Sequence, residues 1–115
     1  MKEIQIDGVI YVPKTSAPEE AKGDYVIVRT YSAGVHAGYL ESREGKEVVL
    51  RNTRRIWYWK GAATLSQLAG EGTSDPGGCK FPAAIDEIIL TEAIEIIPCT
   101  DRAREIIEGV EAWTS

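Results

Sequence analysis

Residues 25–59, YVIVRTYSAGVHAGYLESREGKEVVLRNTRRIWYW, decide the fold. YVIVRTY alternates in strand fashion, and SAGVHAG, with Gly34 and Gly38, marks a turn or bulge before a second strand through Leu40 and Ser42. Glu44-Gly45 then turns the chain into a long strand predicted from Glu47 to Trp59. Links this short join antiparallel neighbours, so the stretch reads as a β-meander.

Working towards the N-terminus, EIQIDGVIYV at residues 3–12 alternates around Asp7-Gly8 and predicts a small hairpin. PKTSAPEEAKGD at residues 13–24 has the proline, small-residue and mixed-charge character of a surface linker. The chain thus divides into an N-terminal hairpin and linker, residues 1–23, and a β-rich domain with a C-terminal helix, residues 24–115.

Towards the C-terminus, AATLSQLA places Leu65, Leu68 and Ala69 at helical spacing, with Gly70 and Gly72 to stop the helix. GEGTSDPGGCKFP is too rich in glycine and proline for regular structure, and its one large ring, Phe81, is either pinned to the core or closing over a ligand. Ile85 to Leu90 and Ala93 to Ile97 read as strands, the second ended by Pro98. Thr100 is a good N-cap for a closing helix whose apolar stripe is Ala103, Ile106, Ile107 and Val110. The expected class is α+β, mostly β: an antiparallel meander or Greek-key sheet with a short mid-chain helix and a C-terminal helix.

The composition, 115 residues with 43% apolar, 27% charged and a formal charge of −5, suits one globular domain with a core of its own. A net negative chain meets repulsion from duplex DNA and anionic membranes, so neither is expected as a partner. The longest apolar runs are too short to span a bilayer and MKEIQIDG lacks a signal-peptide core, so the expected location is the cytoplasm. Cys79, Cys99 and the single His36 cannot complete a structural zinc site, no cofactor fingerprint is present, and a disulfide is disfavoured in a reducing compartment.

Against that acidic background, RNTRRIWYWKG at residues 51–61 packs four cations, no acids and three consecutive aromatics. Read as an uninterrupted strand, it places Arg51, Arg55, Trp57 and Trp59 on one face and Leu50, Ile56 and Tyr58 on the other. Guanidinium groups fork onto phosphates and flat rings stack on bases, so the segment points to a nucleotide or other phosphorylated anion. The plainer reading is a hairpin arm whose tryptophans fill the core while its arginines meet surface carboxylates. Further cations could converge with Arg54 and Arg55: Arg29 on the first main strand, and Arg102 and Arg104 in the first turn of the last helix. Cations there oppose the helix dipole, which a bound phosphate or the local acids Asp101 and Glu105 would offset. Trp57, Trp59 and Phe81 are candidates to sandwich a base, or core residues. No nucleophile or general base stands in a catalytic setting, and an enzyme is not expected.

The segments YVIVRTYSAGVHAGYLESREGKEVVLRNTRRIWYWKGA and ILTEAIEIIPC resemble a family of small proteins of uncharacterised function encoded mainly in bacteriophage genomes. IDGVIYVP resembles an N-terminal module found on varied phage proteins. The layout also resembles the first class of viral Thoeris anti-defence proteins, small β-rich oligomeric sponges for cyclic ADP-ribose isomers and, in some members, cyclic oligonucleotides. That resemblance implies a ligand surrounded by Arg29, Arg55 or Arg54, Phe81, and Arg104 or Arg102.

The leading expectation is therefore a non-enzymatic sponge for a cyclic nucleotide immune signal, working as a homo-oligomer in the host cytoplasm. Arg29, Arg54, Arg55, Arg102 and Arg104 are the candidate phosphate ligands, and Trp57 and Phe81 the stacking rings. The rivals are a phage protein-interaction module and a single-stranded nucleic-acid binder.

Overall fold

The computed structural model describes residues 23–114, and the hairpin expected at residues 3–12 lies outside them. Five strands form one antiparallel sheet: β1 (Tyr25–Thr30), β2 (Val35–Glu44), β3 (Glu47–Arg55), β4 (Ile85–Leu90) and β5 (Ala93–Pro98). Helix α1 (Leu65–Glu71) follows β3, a 3-10 turn spans Pro76–Gly78, and α2 (Asp101–Gly109) follows β5. The order across the sheet is β4-β3-β2-β1-β5, a four-strand meander with the fifth strand paired beside the first. The expected α+β class and its two helices are what the chain forms. Among the described residues no helix is long and apolar enough to cross a membrane.

The link between β4 and β5 shapes the sheet. These strands occupy opposite edges, yet only Thr91 and Glu92 separate them. The edges must therefore approach at one end, where the Ala93 amide donates to the carbonyl of Lys46 in the β2–β3 turn at 3.0 Å. The sheet curls accordingly, and its concave face gathers Val26, Val28, Val48, Leu50 and Leu90, with Ile88 from one edge and Ile96 from the other packing against them. On the convex face a second core joins Tyr25, Ile27 and Ala37 to Leu68, Phe81 and Ile107, under α1, α2 and the loop between.

Helix α2 begins after its expected cap, whereas α1 begins at Leu65, three residues into the expected AATLSQLA run. Thr64 caps α1 by accepting from the Gln67 amide, and Thr100 caps α2 by accepting from the Ala103 amide. Gly70 sits inside α1 and does not stop it; Gly72, at φ 78°, closes the helix by donating to the Leu68 carbonyl.

The main departure from expectation is in β3. Ala37 pairs with Arg54 and Tyr39 with Arg51, so two steps on β2 oppose three on β3. This bulge holds Asn52 at φ 47°, a conformation that asparagine tolerates better than most side chains. Gly38 accommodates it, because a Cβ there would stand 2.6 Å from the Thr53 Cβ. The extra residue breaks the strict alternation. Arg51 falls beside Tyr39 and Arg55 beside His36, on opposite faces, so they do not share the single face an uninterrupted strand would give them. The strand also ends at Arg55, short of Trp59, and Tyr58 makes only an isolated bridge to Lys80.

Candidate functional site

The bulge separates the neighbours Arg54 and Arg55. Arg54 turns onto the convex face, where it is 5% exposed. Its Nε donates to the Pro82 carbonyl at 3.0 Å and its Nη2 to the Phe81 carbonyl at 2.8 Å. Its Nη1 donates at the C-terminal end of α2 to the Val110 carbonyl at 2.6 Å and to the Ile107 carbonyl at 2.9 Å, an oxygen that also accepts from the Val110 amide at 3.3 Å. The guanidinium also stands 5.7 Å from the centre of the Phe81 ring. Arg54 is thus a buried cross-brace between β3, the loop and α2, and four of its five N–H donors are spent on backbone carbonyls. The expectation that it grips ligand phosphate is corrected.

Phe81 is corrected likewise: it is fully buried and belongs to the convex core. A proline- and glycine-rich loop needs an apolar anchor, and this ring supplies one. Arg29 and Arg104 stand apart from each other and are matched to acids. Arg29 Nε meets Glu95 Oε1 at 2.9 Å on the neighbouring strand. Arg104 Nη1 meets Glu108 Oε1 at 3.3 Å, and the same carboxylate accepts from the Tyr39 hydroxyl at 2.9 Å. Glu108, with Glu105 at 3.9 Å, is therefore what offsets Arg104 in α2, in place of the expected pair Asp101 and Glu105. Arg102 is exposed and forms no ion pair among the described residues. The converging set of five arginines is not what the chain builds.

Two of the expected residues do share one place. Arg55 and Trp57 line an open cleft of about 440 Å³, with Trp59 and the Ser32–Val35 turn as its other walls. Trp57 is 63% exposed. Trp59 is held by its Nε1, which donates to the Ala62 carbonyl at 3.2 Å. Arg55 is exposed and donates once, from Nη1 to the Ala33 carbonyl at 2.8 Å. Its other N–H groups have no protein acceptor among the described residues. A guanidinium fork beside two indole faces can hold a phosphate and a planar ring together.

His36 supports this turn from beneath. It is almost fully buried, with Nε2 2.9 Å from the Ala33 carbonyl, the oxygen that Arg55 also contacts. That geometry puts the proton on Nε2. Burial, and secondarily the Arg55 charge, lower the imidazole pKa from 6.5. The unfolded chain therefore binds the proton more readily, so stability present above about pH 6.5 is lost as pH falls through the folded pKa. We expect the urea midpoint to fall between pH 7 and pH 5.5, and His36→Gln to flatten that slope; an equal slope in the variant would assign the effect elsewhere.

Two residues beside the cleft escaped the reading of the sequence. Trp113 stacks with Trp57 at a centroid separation of 6.5 Å and an angle of 6°. Lys80 places Nζ 5.6 Å from the Trp113 ring and 5.7 Å from the Tyr58 ring. A tryptophan in EAWTS after the last helix carries no periodicity, and only its aromatic character could have drawn notice. Among the described residues no cluster of metal-ligating side chains occurs, and Cys79 and Cys99 are both free, with burial pushing the Cys99 thiol up to about 11.

A protein-family model described as "Domain of unknown function (DUF6948)" matches residues 23–107. No curated protein and no solved structure matches the chain.

Proposed function

The chain belongs to that family, and from its own side chains we propose that it is a non-enzymatic binding protein for a nucleotide-like anion. The ligand sits in the Arg55–Trp57 cleft, and the cyclic nucleotide immune signal implied by the Thoeris anti-defence resemblance is the form to test first. The single observation that supports this reading is the sharing of one cleft by Arg55, free of acidic partners among the described residues, and the exposed ring of Trp57. The sponge reading is carried by two residues of the expected set, since Arg29, Arg54, Phe81 and Arg104 are engaged elsewhere. A sponge needs slow release, which an open cleft achieves by being covered. The edge strands β4 and β5 offer a place for a second copy to pair, which supports a homo-oligomer.

A thermal-shift panel of cyclic ADP-ribose isomers and cyclic di- and trinucleotides tests the proposal. Stabilisation with intact ligand recovered after heating supports it, and conversion of the ligand indicates an enzyme. Arg55→Ala should weaken binding about 10- to 100-fold through loss of a charge-assisted hydrogen bond, while costing under about 1 kcal/mol of folding stability. Unchanged affinity in that variant would remove Arg55 from the site.

A protein-interaction module is the second reading. The exposure of Trp57, Tyr58, Ile85 and Ile89, at 63%, 47%, 52% and 55%, favours it. Silence across the whole nucleotide panel would turn the choice that way.

A further inference from the structure

We infer that Trp57 and Trp113 together form a stacking site for a planar, nucleobase-type ring, with Lys80 at its edge. The inference rests on the proposed binding role in that Trp57 also borders the Arg55 cleft.

Three backbone segments lie side by side here. The Trp57 amide donates to the Lys80 carbonyl at 3.2 Å, and the Trp113 amide donates to the Phe81 carbonyl at 3.0 Å. Tyr58 and Lys80 bridge in the same strip. Both tryptophans are therefore positioned by main-chain bonds on either side of residues 80–81, and their rings come out parallel to within 6°.

The separation of 6.5 Å between ring centres is the telling quantity. Direct van der Waals contact puts stacked carbon planes about 3.5 Å apart. Rings facing one another at 6.5 Å would leave a gap close to the two contact distances that an inserted ring needs. If instead they touch, they are slid so far past each other that most of each inner face is uncovered. In both arrangements indole surface remains for a third aromatic ring, and Trp57 is already 63% exposed. Lys80 sharpens the chemistry. Its ammonium lies over the Trp113 and Tyr58 rings and has no acidic partner among the described residues. A cation there can meet a phosphate or a ring carbonyl of a stacked nucleotide. Base–aromatic stacking also tolerates any base, because every base presents a π face.

Calorimetric titrations with adenosine, AMP, ribose 5-phosphate and an oligodeoxyadenylate test the inference. Adenosine and AMP should bind, and Trp113→Ala should weaken both by about 5- to 100-fold while Trp113→Phe retains most of the affinity. An oligonucleotide that binds more tightly than AMP in a salt-sensitive way identifies a strand as the source of the base; one that binds no better identifies a small nucleotide, and both support stacking. Equal adenosine and AMP affinities in Trp113→Ala and wild type, or no binding of any adenine probe, would overturn the inference. Arg55→Ala separates the two readings. If it weakens AMP while Trp113→Ala does not, the stacking site falls and the cleft stands. If Trp113→Ala weakens adenosine while Arg55→Ala leaves AMP unchanged, the cleft falls and the stacking site stands.

Discussion

Arg54→Met should cost about 3–5 kcal/mol of stability, a large fraction of what holds a small domain together. Methionine keeps an unbranched apolar stem in place of arginine's but donates nothing. The carbonyls of Phe81, Pro82, Ile107 and Val110 would each lose a donor in a buried setting. They belong to two structures, the loop after the 3-10 turn and the end of α2, so the loss propagates to the packing between them. Urea denaturation of Arg54→Met beside Arg55→Ala gives the sharpest contrast, since adjacent arginines in one strand should differ by several kcal/mol. A loss below about 1 kcal/mol for Arg54→Met would mean that the brace is dispensable.

Phe81→Ala should cost about 3–5 kcal/mol, and Phe81→Leu about 1 kcal/mol, from the cavity left in the convex core. The ring has no exposed surface and is among the largest fully buried side chains. It also lies under the Arg54 guanidinium, so the costs of Arg54→Met and Phe81→Leu should fail to add in a double-mutant cycle. Ligand affinity supplies the second readout. Phe81→Leu should leave nucleotide binding within about twofold of wild type, because the change adds less than about 0.4 kcal/mol at a site it does not touch. A tenfold loss of binding in a variant that stays folded would return Phe81 to the ligand.

The strands and both helices were legible because their signals are periodic and local. YVIVRTY alternates, Thr100 precedes an apolar stripe, and Pro98 ends the last strand. Alternation misled within β3 for a physical reason. A bulge shifts every later side chain to the other face, and its sequence trace is a single asparagine, Asn52, among residues that suit a regular strand. From that one residue follow the burial of Arg54 and the separation of Arg51 from Arg55. The curl of the sheet was hidden differently. It depends on which strands occupy the edges, a long-range outcome that meets the two-residue Thr91-Glu92 link only after β5 has paired with β1. Of the candidate site, Arg55 and Trp57 were legible together from composition alone, since a cationic aromatic run in an acidic chain is conspicuous. Trp113 and Lys80 were not, because they join that run through main-chain pairing of residues 57–58 with 80 and of Phe81 with Trp113.

An amide chemical-shift map of the labelled protein titrated with AMP tests the ligand cleft most directly. The account predicts that the perturbed amides cluster at Ala33, Gly34 and residues 55–59, on the walls around Arg55 and Trp57. Perturbations centred on Arg29 and Glu95, or on Arg104 and Glu108, would contradict it, as would a spectrum that AMP leaves unchanged.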